Sequence, residues 1–293
     1  MDQDRLTLLG VPIDSVGREG GTERGPAALR KIFEPLGLRD AGDTEQMIRG
    51  LNRDPANGWL AYPDIVRMSA EVRERVASIT AEGQVPLVLG GCCTLLPAAL
   101  AGARDSHGRL GLAYLDGHLD LFTGRTSPTG EGADMPAAAI LGLAPLEMLE
   151  AIGPTPIVEP SRMAFLGARD GEELEMIAPL PKGLGIGRIE DRDALRHAEL
   201  EHIAHSVADE LTADGAHFWL HLDVDVLDRD AFPATDYLMP DGLSLAELKA
   251  LLGPLAGSPR LAGINVTCFN PEKDRDGSCG TTLVEMLKST LIT

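Results

Sequence analysis

The chain has 293 residues, 44% of them apolar, and sets 26 Lys+Arg against 45 Asp+Glu for a net charge of −19. That is enough apolar material for a large core, and the acidic balance argues against nucleic acid and anionic membrane as partners, since both need a positive field. No apolar stretch approaches the ~20 residues of a membrane-spanning helix, and the acidic start Met1-Asp2-Gln3-Asp4-Arg5 is unlike a secretory signal, so a cytoplasmic location is expected.

In chain order, the apolar run Leu6–Val11 predicts a buried strand, and residues 26–36, opening on Pro26, predict a helix. A long amphipathic helix is expected over 64–82, then buried strands at Val85–Gly90 and Leu110–Leu115. Residues 124–132, rich in Gly, Ser, Thr and Pro, read as a long loop. Further strands are expected at 163–167, 217–226 and 261–269, with helices at 191–213, 244–252 and 281–291. Ser244 and Glu247 form a capping-box pattern at the start of one of these helices. With no linker or repeat interrupting the alternation, residues 1–293 read as one three-layer α/β/α domain with a mainly parallel sheet. The cysteines Cys92, Cys93, Cys268 and Cys279 are too few for a disulfide scaffold, and reduced thiols are expected.

Chemistry concentrates at Asp116-Gly117-His118-Leu119-Asp120, directly after a predicted strand. In an extended chain, residues two apart point the same way, so Asp116, His118 and Asp120 would converge as a metal-ligand row. His221, Asp223 and Asp225 repeat that spacing after another strand. One such row is equally a polar strand end that caps backbone groups. Two rows in one sheet would crowd four carboxylates, and divalent cations relieve that repulsion more simply than raised pKa values do. His221 sits one residue pair deeper, which suits a supporting role rather than ligation. Asp228 and Asp230 lie past the strand end and read as loop carboxylates.

Four segments in order resemble those of the arginase, or ureohydrolase, family: Gly90-Gly91-Cys92-Cys93-Thr94, Asp116-Gly117-His118-Leu119-Asp120, Asp223-Val224-Asp225-Val226-Leu227-Asp228 and Asn270-Pro271. The early run Gly20-Gly21-Thr22-Glu23-Arg24-Gly25-Pro26 is similar to the family's first loop and helix. The resemblance implies an α/β/α fold with an eight-stranded, mainly parallel sheet, two Mn(II) ions, a small guanidino substrate and a homo-oligomer of three or six subunits. It also implies that Asp116 and Asp223 bridge both metals, that His118 and Asp225 complete one site, and that Asp120 helps form the other.

Departures from the family pattern bear on the substrate. The ligand histidine is replaced by Cys93, which either ligates as a thiolate or is a small buried thiol. The glutamate that clamps guanidinium in arginases is replaced by Cys268, and the proton-shuttling histidine by Ala133. This pattern resembles hydrolases of Nω-hydroxy-L-arginine, which release hydroxyurea and L-ornithine. Asp120 would accept a hydrogen bond from the attacking hydroxide, with Glu131 or Asp134 near the leaving group or the amino-acid end. Two other readings stay open: a single-zinc, deacetylase-like hydrolase using Asp116, His118 and Asp223, and a non-catalytic binding or scaffold relative.

Overall fold

A computed structural model describes residues 1–15, 20–45, 52–177 and 179–292. Eight strands, β1 (Leu6–Val11), β2 (Arg39–Asp43), β3 (Val85–Gly90), β4 (Leu110–Leu115), β5 (Met163–Leu166), β6 (Arg188–Glu190), β7 (His217–Asp223) and β8 (Leu261–Thr267), form one sheet. Their order across it is β2-β1-β3-β8-β7-β4-β5-β6, and every pairing is parallel.

Alternate side chains enter opposite layers, as the two-residue period of a strand requires. On β4, Ala113 and Leu115 join one core while Leu112 and Tyr114 join the other. On β3, Leu87 and Leu89 separate from Val88 in the same way. Helices Gly25–Phe33, Leu200–Thr212, Leu245–Ala256 and Ser278–Leu291 cover the first face, and Tyr62–Ala81 and Leu96–His107 cover the second. Both faces are therefore dry, which is why the central strands read as unbroken apolar runs.

Several elements differ from their sequence-based bounds. The helix expected over 191–213 is two, Arg192–Arg196 and Leu200–Thr212, because Glu199 adopts an extended conformation before the second. The strand expected over 217–226 stops at Asp223 and turns into the 3-10 segment Val224–Val226, and β8 stops at Thr267, before Cys268 at φ +66°. The capping box is present as expected, with the Ser244 hydroxyl accepting from the Glu247 N–H.

Ligands of open parallel sheets bind beyond the carboxyl ends of the strands. Here β3, β8, β7 and β4 are consecutive neighbours in the sheet, and their carboxyl ends carry Cys93, Cys268, Asp223 and Asp116. The Asn270-Pro271 and Gly20-Gly21 segments meet at the same end. Asn270 Nδ2 donates to the Gly20 carbonyl at 3.1 Å and to Asp236 Oδ1 at 2.7 Å.

Candidate metal centre

Cys93 follows a glycine pair because the backbone there is too crowded for a side chain. A Cβ on Gly91 would lie 1.9 Å from the Ile13 carbonyl oxygen. The Gly91 N–H donates to Val11 O, and its carbonyl accepts from the Cys268 N–H, both at 2.9 Å. This crossing joins the ends of β1, β3 and β8 and brings Cys93 beside Cys268.

The row after β4 is not extended, so its convergence does not arise from strand alternation. Asp116 Oδ1 accepts from the His118 N–H at 2.8 Å, and Asp120 sits at φ +51°. Glu173 fastens the loop by accepting the N–H groups of Leu119 and Asp120, each at 2.8 Å. The second row also turns: Asp223 Oδ1 accepts from the Asp225 N–H at 2.8 Å within the 3-10 segment. Arg169 donates to the carbonyls of Asp225, Val226 and Leu227 at 2.6, 3.3 and 3.0 Å and clamps that turn. The Gly117 N–H to Asp225 Oδ1, 3.1 Å, ties the two rows together.

Among the described residues, three groups hold ligand atoms all within 4.8 Å of one another: Asp116, His118 and Asp225; Cys93, Asp116 and His221; Cys93, Asp223 and Cys268. His118 Nδ1 lies 3.2 Å from Asp225 Oδ2 and 3.4 Å from Asp116 Oδ1, while Cys93 Sγ lies 2.6 Å from Asp223 Oδ2. Asp120 lines the same cavity but is in none of these groups; its Oδ2 accepts a 2.5 Å bond from the Tyr114 hydroxyl.

His221 supports the centre through a relay whose polarity can be derived. An indole N–H only donates, so Asn265 turns its oxygen to Trp219 Nε1 at 2.7 Å and its amide nitrogen to His221 Nδ1, also at 2.7 Å. His221 Nδ1 must therefore accept. Its proton sits on Nε2, which donates to Asp116 Oδ2 at 3.3 Å.

Charge at the site is poorly balanced by protein groups alone. Asp116, Asp120, Asp223 and Asp225 are all buried. Burial raises the carboxyls of Asp120 and Asp223, helped by the charges of neighbouring acids, whereas hydrogen bonds from His118 and His221, with the charge of His118, outweigh burial at Asp116 and lower its carboxyl. Burial would lower His118, but the charge of Asp225 and bonding to Asp116 hold it well above the usual imidazole range. Buried carboxylates, an imidazole and thiols converging in this way form the donor set of a divalent metal centre.

Glu131 and Asp134 stand on the outer wall of the cavity with Ala133 and Tyr237. The Tyr237 hydroxyl donates to Glu131 Oε2 at 2.9 Å, and its ring meets His118 edge-on. Asp134 Oδ2 accepts from Ser127 Oγ at 2.6 Å and Thr129 Oγ1 at 3.3 Å, and burial pushes its carboxyl up to about 6. The sequence reading missed Tyr114, Arg169, Glu173, Tyr237 and Asn265. For Arg169, its place just past the apolar run of β5 was an available signal; Glu173 lies in an acidic helix start with nothing to distinguish it.

The parallel α/β/α fold with this donor set at its central strand ends, together with the family match below, defines a metal-dependent amidinohydrolase of the ureohydrolase type. A profile of the arginase family matches residues 4–292, and the chain belongs to that family. It is 30% identical to the arginase of Brevibacillus brevis, over 97% of this chain and 96% of that one. Its structure is similar to arginase from Bacillus cereus, with a TM-score of 0.84 and 26% identity over 98% and 97% of the two chains. Arginase from Bacillus caldovelox matches in fold at a TM-score of 0.87 and 24% identity, with the same coverage. The family uses a binuclear manganese cluster. No helix among the described residues is long and apolar enough to cross a membrane.

Proposed function

We propose that the protein hydrolyses the amidino C–N bond of a hydroxyguanidine, best matched by Nω-hydroxy-L-arginine, to give hydroxyurea and L-ornithine. One observation carries this reading: Cys268, at the end of β8, turns its sulfur to Cys93, 3.8 Å away, and presents no carboxylate to a guanidinium from that position. A buried cation without a partner costs several kcal/mol. A hydroxyguanidine is less basic, enters with less charge and needs the clamp less.

Cys93, Asp116, Asp120 and Asp223 would hold one cation, and Asp116, His118, Asp223 and Asp225 the other. When bound, the pair supplies Lewis acidity and a water acidified toward neutrality. The chain's own groups do the rest. Tyr114 donates to Asp120 Oδ2 and fixes the orientation of that carboxylate, which accepts a hydrogen bond from the attacking water. Asp134, raised to about 6, titrates near working pH and suits proton delivery to the departing nitrogen. Glu131, oriented by Tyr237, receives the ammonium of the amino-acid end.

The test is a comparison of kcat/KM for Nω-hydroxy-L-arginine and L-arginine in the Mn(II)-loaded enzyme. The expected preference is at least ~100-fold, or ~2.7 kcal/mol of transition-state binding. Comparable rates, or a preference for another guanidino compound, would overturn the assignment.

A further inference from the structure

We propose that Cys268 is itself a metal ligand, so that the two halves of the centre differ in kind: a thiolate-rich half that selects a thiophilic cation of the Zn(II) class, and an Asp/His half suited to Mn(II). This rests on the reading of the site as a two-metal centre and goes beyond it in naming a further ligand and a metal preference.

The geometry is that of a preformed pair. Cys93 Sγ and Cys268 Sγ lie 3.8 Å apart. Two thiolates at ~2.3 Å from one tetrahedral Zn(II) have sulfurs about 3.8 Å apart. The Asp223 carboxylate supplies a third donor within 4.8 Å of both sulfurs, and the 2.6 Å hydrogen bond that its Oδ2 accepts from Cys93 Sγ is the contact a cation would replace. Thr267 Oγ1, 3.2 Å from Cys93 Sγ and 3.4 Å from Asp223 Oδ2, braces two of the three.

The backbone aims Cys268 inward at a conformational cost. Its φ of +66° is a left-handed value that a cysteine rarely adopts, and the hydrogen bond from its N–H to the Gly91 carbonyl fixes that turn against the segment leading to Cys93. That turn holds the Cys268 sulfur beside the Cys93 sulfur and the Asp223 carboxylate.

Donor chemistry then separates the halves. Thiolates are soft donors that favour Zn(II) over Mn(II), whereas the group of Asp116, His118 and Asp225 offers only carboxylate and imidazole. The replacements at 93 and 268 thus act together: one changes a ligand, and the other adds a second sulfur to the same cation.

The test loads metal-free protein with equimolar Zn(II) and Mn(II) and measures both by elemental analysis, and separately records thiolate-to-metal charge-transfer absorbance per bound Co(II). Wild type should hold at least one Zn(II) per chain, at the thiolate half, in preference to Mn(II). Cys268→Ser should lose about half of the charge-transfer intensity, as expected when one of two sulfurs is removed, and its preference for Zn(II) at that half should fall at least ~10-fold. Cys268→Gly, which suits the left-handed backbone, should behave likewise and carries the test should the serine variant not fold. Two Mn(II) in wild type, or unchanged absorbance in the Cys268 variants, would overturn this inference and leave the two-metal reading standing. Wild type that binds neither metal would overturn both.

Discussion

Replacing Asn265 with leucine removes the middle of the Trp219–Asn265–His221–Asp116 relay while nearly conserving volume. Trp219, His221 and Asn265 are each fully buried, so neither water nor another side chain can take over the two hydrogen bonds that Asn265 makes. Stranding a buried donor or acceptor costs about 1–3 kcal/mol. Two stranded groups, the Trp219 N–H and His221 Nδ1, give about 2–6 kcal/mol, and the extra apolar burial of leucine offsets roughly 1 kcal/mol of it. Urea unfolding of metal-free Asn265→Leu should therefore show a loss of about 1–5 kcal/mol with an unchanged m value. His221 also loses the partner that fixes its tautomer, so its hold on Asp116 Oδ2 weakens, and affinity for the metal should fall by about 10–100-fold. A stability loss below ~1 kcal/mol would refute the stranding argument. An intact metal affinity alongside the expected stability loss would refute the claim that the relay positions Asp116.

Asp116→Ala or Asp223→Ala should each empty both metal positions if, as proposed, each carboxylate would serve both cations; full occupancy by elemental analysis in either variant rejects that role. Glu173 is pushed by burial up to about 7 from its ordinary 4.5, so the folded protein holds a proton there that the unfolded chain releases. Its contribution is thus most favourable below pH 4.5 and is lost as pH rises to 7, by about 3 kcal/mol, and subtracting the stability–pH curve of metal-free Glu173→Gln should reveal that slope. Parallel curves would show that Glu173 is not the titrating group. Peroxide should inactivate metal-free protein faster than metal-loaded protein, since bound cations shield the sulfurs at Cys93 and Cys268; equal rates would speak against thiolate ligation.

The central strands were legible because each is flanked by neighbours and covered on both faces, which selects apolar residues at most positions, with His221 and Asn265 among the exceptions. The edge strands were not: Arg39–Asp43 reads Arg-Asp-Ala-Gly-Asp and Arg188–Glu190 reads Arg-Ile-Glu, with no run of apolar residues to mark them. Helix Leu96–His107 escaped for the opposite reason. Its first eight residues are all buried, so it lacks the one-sided pattern that betrays a surface helix. At the site, residue types and order pointed to residues that the fold brings together, and His221, expected in a supporting role, donates to Asp116 and also stands with Cys93 and Asp116 in one of the candidate ligand groups. The local geometry was misread, because extended alternation cannot foresee a left-handed Asp120 or a 3-10 turn at Asp225. Glu173, Tyr114 and Asn265 act through contacts made only once distant strands pair, and no spacing along the chain announces them.

The position of β8 has a consequence for how the molecule comes into being. It is the last of the described strands in sequence, yet it pairs with both β3 and β7 in the middle of the sheet. During synthesis from the amino end, the segments that will become β2-β1-β3 and β7-β4-β5-β6 emerge first, with no strand yet to join them. The inner edges of β3 and β7 then stay open to stray pairing until residues 261–267 leave the ribosome and slide between them. That final insertion also delivers Cys268 to Cys93 and Asn265 to His221. A chain truncated before residue 261 should therefore be sticky and unable to capture cations, and competence should arrive abruptly, once that strand inserts.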